Sequence, residues 1–141
     1  MILTGKTRIG NEILSHIKEI DDGVVFHLAG IMRAKNYDKN VEDTKKVLQR
    51  KNIKHIIFAS TIAFGNECGA YGISKETCER VIMESGIPYT IFRMGQVFDD
   101  EYNGVLSSLK TLLKLLIVPY AKGIMFNPVH VSCIVDALKK P

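Results

Sequence analysis

The chain of 141 residues has no tryptophan, only four prolines and only three cysteines: Cys68, Cys78 and Cys133. The cysteines are odd in number and form no Cys-x-x-Cys pair, which argues against a disulfide framework or a cysteine-built zinc site. Reduced thiols and a cytoplasmic setting are the expectation. Long apolar runs are missing too. The most apolar stretch, Leu112 to Val118, is interrupted by Lys114 and falls well short of the roughly 20 residues that a membrane-crossing helix needs. The N-terminus has no basic segment leading into an apolar one, so no secretory signal is expected. His16, His27, His55 and His130 show no ligand spacing, so no metal is expected.

What is present is a composition that folds. Hydrophobic residues make up 46% and no segment is of low complexity, enough to bury a core. The length suits one domain over residues 1–141. The net charge is +4, with basic residues gathered at Lys45, Lys46, Arg50, Lys51 and Lys54. No aromatic residue interleaves with them, as nucleic-acid stacking would require. The cluster reads as a solvated helix face, and no nucleic-acid partner is expected.

Apolar periodicity sets out alternating strands and helices. Met1 to Thr4 is a short apolar start, and Ile9, Ile13, Leu14, Ile17 and Ile20 follow at helical steps. Val24 to Leu28 reads as a strand buried on both faces. A helix follows over about Asp38 to Lys51, with Val41, Thr44, Val47 and Leu48 inward. His55 to Ala59 is the next strand, and Tyr71 to Ser85 the next helix. Gly86 stands where a helix cap belongs, with Pro88 two residues on. Tyr89 to Arg93 is a fourth strand, and a leucine-rich helix spans about Val105 to Ile117. The tail reads as an extended stretch, Val129 to Val131, and a helix, Ser132 to Lys139. Such alternation predicts an α/β fold with a parallel sheet flanked by helices.

Open parallel sheets bind ligands beyond the carboxyl ends of their strands. That directs attention to the loops after Thr4, Leu28, Ser60 and Arg93. The first, Thr4 to Gly10, has the spacing Gly-x-x-x-x-Gly. It reads as either a tight turn or a phosphate cradle at a helix N-terminus. In Tyr71-Gly72-Ile73-Ser74-Lys75 the phenol and the ammonium share one helix face. A neighbouring ammonium favours phenolate, so a lowered tyrosine pKa is expected. Ser60 and Thr61 precede this helix and offer hydroxyls for a substrate oxygen.

These segments, in this order, resemble the extended branch of the short-chain dehydrogenase/reductase superfamily, close to NAD-dependent epimerases and dehydratases. The resemblance rests on Val25 to Gly30, Asn40 to Leu48, Lys54 to Gly65, Tyr71 to Arg80, Gly86 to Arg93, and Val129 to Ala137. It implies a Rossmann-like fold and a nicotinamide cofactor, NAD or NADP. It also implies roles. Tyr71 would be the general acid/base. Lys75 would tune it and hold the nicotinamide ribose. Thr61 would orient the substrate oxygen, with Ser60 as its fallback and part of the cofactor bed. Gly5, Thr7, Ile9 and Gly10 would contact the pyrophosphate, and Leu28, Ala29 and Gly30 would line the adenosine-to-ribose track.

Only Asn11 to Gly23 separate Gly10 from Val24, where the family places a strand, a helix and a further strand. Fewer strands than the full fold are therefore expected, and the acidic or basic residue that reads the adenosine ribose should be missing. Two functions follow. One is an NAD(P)-dependent oxidoreductase or sugar-nucleotide epimerase/dehydratase-like enzyme using Thr61, Tyr71 and Lys75. The other is a non-catalytic relative serving as a nucleotide-binding or protein-interaction module. The helices at 38–51 and 71–85 are those that pair across a dimer in many relatives, so a homodimer is expected.

Overall fold

The computed structural model describes residues 2–4, 8–16, 23–28, 37–62, 69–99 and 127–139. Strand β1 (Ile2–Thr4) leads to helix α1 (Arg8–His16) and strand β2 (Val24–His27). Helix α2 (Asp38–Leu48), strand β3 (His55–Thr61), helix α3 (Gly69–Met83) and strand β4 (Tyr89–Met94) continue the alternation. Two short strands, β5 (Val97–Phe98) and β6 (Val129–His130), precede helix α4 (Val131–Lys139). Strands β1 to β4 form one parallel sheet in the order β1-β2-β3-β4. The fold is thus the expected Rossmann-like α/β arrangement with few strands. The leucine-rich helix expected at 105–117 lies outside the described residues.

Period-two alternation sorts the strand side chains onto two faces. Val25, Ile56 and Phe58 meet Val47 of α2 and Cys78 and Ile82 of α3. Phe26 and the partly buried Ile57 meet Ile13 of α1 and Val131, Ile134 and Val135 of α4. Strand β2 is therefore covered on both sides, as its apolar Val24, Val25, Phe26 and Leu28 led one to expect. Ile56, Phe58 and Ile82 are completely buried, and each such side chain contributes about 1.5–3 kcal/mol of transfer free energy.

The two faces also fix the sense of the crossovers. Successive strands are neighbours, so every β-α-β step moves the same way across the sheet. Helices α2 and α3 share one face while α1 lies on the other. The first crossover therefore has the opposite hand to the next two. Parallel crossovers are right-handed in about 98% of cases, so the pair sharing a face is the ordinary one and β1-α1-β2 is the exception. A right-handed α1 on this face would lead to a strand beyond β1, which is where the full fold carries its additional strands.

The chain turns back where the sequence placed a helix cap: Gly86 has φ 73°, a left-handed conformation that side chains disfavour. Strand β5 was not foreseen in the sequence. It is held parallel to β6 by a close approach in which a Cβ on Gly95 would lie 1.8 Å from the Asn127 carbonyl oxygen. Only glycine fits there. Among the described residues, no helix is long and apolar enough to cross a membrane.

Candidate functional site

The carboxyl ends of the four strands present Thr4, Leu28, Thr61 and Met94 along one edge. The Ile62 N–H donates to the Met94 carbonyl at 3.1 Å, extending β3 against β4 just past Thr61. Thr61 is 9% exposed. Helix α3 then brings Tyr71 and Lys75 to the same side of the sheet as Phe58.

Lys75 is buried, 3% exposed. Its Nζ donates to the Ala59 carbonyl at 2.7 Å and stands 4.6 Å from the centroid of the Phe58 ring. The ammonium is thus drawn down onto β3, two residues short of Thr61. Desolvation lowers its pKa to about 8, against the opposing pull of Cys78 and Glu79. Tyr71 is half-buried, and its ring lies 6.0 Å from that of Tyr37 at 60°. Burial pushes the Tyr71 phenol up from its ordinary range, with Tyr37 and Cys78 adding to the rise. The expected lowering by Lys75 is therefore not found. The ammonium is engaged with the Ala59 carbonyl, and low-dielectric surroundings favour the neutral phenol.

Ser60 and Thr61 differ sharply. The Ser60 hydroxyl donates to Oε1 of Glu79, a carboxylate only 1% exposed. Arg93 closes the other side of that carboxylate: its Nη2 donates to Oε2 at 2.7 Å and its Nε reaches both oxygens at 3.2 Å. A buried carboxylate left without such partners is costly, and forked Arg pairing supplies both charge and geometry. This network clamps α3 to the adjacent ends of β3 and β4, where Ser60 and Arg93 are register partners. Ser60 thus serves the clamp through its proton.

A second buried network runs between α2 and the sheet. His27 lies 2.5 Å from the Thr4 hydroxyl through Nδ1 and 2.9 Å from that of Thr44 through Nε2. Thr44 donates to the Asn40 carbonyl at 2.8 Å. Asn40 Nδ2 donates to Ser74 at 3.3 Å, and Ser74 donates to the Tyr71 carbonyl at 2.9 Å. Polar side chains therefore connect the end of β1 to the first turn of α3.

Neither network was foreseen in the sequence. Glu79 carried a usable signal, since it falls on the inward stripe with Lys75, Cys78 and Ile82, and a carboxylate there needs a partner. His27 carried another, sharing a strand face with Val25. Of the expected cofactor residues, Ile9 and Gly10 lie in the first turn of α1, with Gly10 buried. Leu28 packs on the α1/α4 side, and its N–H donates to the Thr4 carbonyl at 3.0 Å. Gly5, Thr7, Ala29 and Gly30 lie outside the described residues. The cysteine readings are simpler: Cys78 is a free buried thiol with a pKa raised chiefly by burial. The basic cluster from Lys45 to Lys54 is exposed throughout.

Residues 64–134, half of the chain, match a family of NAD-binding domains described as male sterility protein. An adenylate-forming reductase, Nps11, from Serpula lacrymans var. lacrymans (strain S7.9) is 32% identical over 79 residues. The match covers 51% of this chain and 7% of that protein. Among solved structures, UDP-N-acetylglucosamine 4-epimerase from Bacillus cereus is similar with a TM-score of 0.62 at 16% identity, over 89% of this chain and 53% of that one. The Bordetella bronchiseptica enzyme WbmG, solved with NAD and UDP, is similar with a TM-score of 0.60 at 14% identity, over 91% of this chain and 49% of that one. The chain thus spans about half or less of the length of these relatives. With the family match resting on the segment that contains Tyr71, Lys75, Glu79 and Arg93, the chain belongs to the male sterility protein family within the extended short-chain dehydrogenase/reductase superfamily.

Proposed function

We propose that this chain carries the nicotinamide side of an NAD(P)-dependent oxidoreductase that acts first as a reductase. The observation that carries the reading is the seating of Lys75 against the carboxyl end of β3, one helical turn from Tyr71 and two residues from Thr61. Thr61 and Tyr71 offer hydroxyls, Thr4 an oxygen and Lys75 an ammonium, a polar set that fits a hydroxyl-rich dinucleotide. Gly5, Thr7, Ile9, Gly10, Leu28, Ala29 and Gly30 belong to the same bed in this reading. A bound nicotinamide would supply the hydride.

The chain's own residues supply the rest. Thr61 orients a carbonyl oxygen, and Tyr71, kept as phenol by burial, passes its proton to that oxygen as negative charge develops. In this reading Lys75 turns its ammonium from the Ala59 carbonyl toward the phenolate left behind. A protonated resting tyrosine favours reduction over oxidation as the first step, and the likeness to an adenylate-forming reductase agrees with it. The substrate class is a small carbonyl compound or a sugar nucleotide, the latter supported by the UDP held in WbmG. Titration of the purified chain with NADH and NADPH, followed by calorimetry, is expected to show saturable binding of at least one. No saturation up to millimolar cofactor would sink the reading.

A homodimer through α2 and α3 belongs to the proposal as well. Between these helices lies a groove of about 390 Å³ lined by Val41, Ala70 and Ile73 together with the charged Asp38, Glu42 and Lys45. Ile73 is 44% exposed there, an apolar side chain that a second copy would cover. Sedimentation equilibrium at micromolar concentration is expected to give twice the 15.8 kDa chain mass. A single-chain mass would exclude the dimer.

A further inference from the structure

The proton inventory of the buried network beneath α2 fixes the direction of each hydrogen bond. The Thr44 hydroxyl has one proton and donates it to the Asn40 carbonyl. Toward His27 it must therefore accept, so His27 carries its proton on Nε2. Nδ1 is then an acceptor, and the Thr4 hydroxyl donates to it. Burial, with Lys75 and Arg50 adding to it, lowers the His27 pKa to about 4, so this neutral tautomer persists at pH 7. Thr4 and His27 are register partners on β1 and β2. The chain of donors thus runs Thr4 to His27 to Thr44 to Asn40.

We infer that His27 is a positioning residue for the cofactor bed: by taking the Thr4 proton, it turns the Thr4 oxygen into an acceptor at the carboxyl end of β1. The consequence is chemical selectivity. An oxygen with only lone pairs to offer repels a phosphate oxygen and receives a hydroxyl or N–H donor. Thr4 therefore does not hold the pyrophosphate. It receives a donor group of the dinucleotide, for which a ribose hydroxyl has the right chemistry. Both ring nitrogens of His27 are satisfied within 2.9 Å and the side chain is 1% exposed, so the ring is fixed and Thr4 is fixed with it. The inference rests on the nicotinamide reading proposed above.

The two ring nitrogens can be tested separately. His27→Asn places an amide oxygen near Nδ1 and keeps an acceptor for Thr4. His27→Gln places an amide N–H near Nε2, keeps the Thr44 contact and loses the one to Thr4. Binding of NADH by calorimetry should be within about two-fold of the parent in H27N, and weakened about five- to ten-fold in H27Q and in Thr4→Val, the effect of one hydrogen bond. In ring-nitrogen NMR of the parent, Nδ1 should be unprotonated and Nε2 protonated at pH 7, whether or not cofactor binds. A parent that binds NADH while H27N and H27Q weaken equally overturns the inference alone, as does a protonated Nδ1. A parent that binds neither NADH nor NADPH overturns the nicotinamide reading and this inference with it. Thr4→Val, at the edge of the sheet, keeps the test open if the His27 variants fold poorly.

Discussion

Tyr71→Phe is expected to lower kcat by about 10²- to 10⁴-fold, the usual contribution of a positioned acid/base, while the NADH dissociation constant changes by less than about two-fold. Phenylalanine keeps the ring against Tyr37, 6.0 Å away, and removes only the hydroxyl. The α3 backbone contact is also preserved, because Ser74 donates to the Tyr71 carbonyl and not to its side chain. Steady-state kinetics in the reduction direction, paired with calorimetry, separate the two quantities. Equal loss of binding and turnover would instead mark Tyr71 as a structural residue.

The pH profile of the parent gives the same site a second reading. Reduction needs the phenol protonated, and burial raises its pKa above 10.0. The tyrosine-dependent fall in rate therefore comes above pH 10, not in the neutral range that a Lys75-depressed tyrosine would give. A fall centred near pH 7 that disappears in Tyr71→Phe would contradict the described geometry. It would require the Lys75 ammonium to leave the Ala59 carbonyl and turn toward the phenol.

The sequence made the frame of this site legible because the frame depends on periodicity. Tyr71 and Lys75 stand on the helix that periodicity predicted, and Thr61, expected just beyond a strand ending at Ala59, is the last residue of β3. The extra residues at the ends of β3 and β4 extend the strands only slightly. What stayed hidden depends on contacts between distant segments. Lys75 meets a main-chain carbonyl, Ala59, that no side-chain motif can advertise. Glu79 meets Arg93 across α3 and β4, and Ser60 joins them from β3. Strand β5 has only two residues and exists because Gly95 admits Asn127. The hand of the first crossover was hidden for a related reason. Composition says that α1 is amphipathic, but packing decides which face of the sheet receives it.

Lys75→Met is expected to do two opposite things: remove turnover and stabilise the fold. Turnover is lost because methionine cannot stabilise a phenolate or donate to a ribose. The stability effect follows from linkage. Lys75 has a pKa of about 8 in the folded chain against an ordinary 10.5, so between those values the unfolded chain binds more protons. The folded chain's stability therefore rises as pH increases through this window, and it is lowest below pH 8, where the ammonium is buried and charged. The full difference is on the order of 3 kcal/mol. Part of it is offset in the variant by loss of the hydrogen bond to Ala59, typically about 1.5–3 kcal/mol for a charged donor. A net gain of about 1 kcal/mol at pH 7 is the expected result. Denaturant unfolding at pH 7 and pH 9.5 resolves both parts: the parent should gain stability between the two values and the variant should not. A variant less stable than the parent at pH 7, with the same rise at pH 9.5, would mean that the folded chain does not strain to hold this lysine. In the expected outcome, the residue most needed for chemistry is one that the fold would be more stable without, which is the mark of a site kept for function.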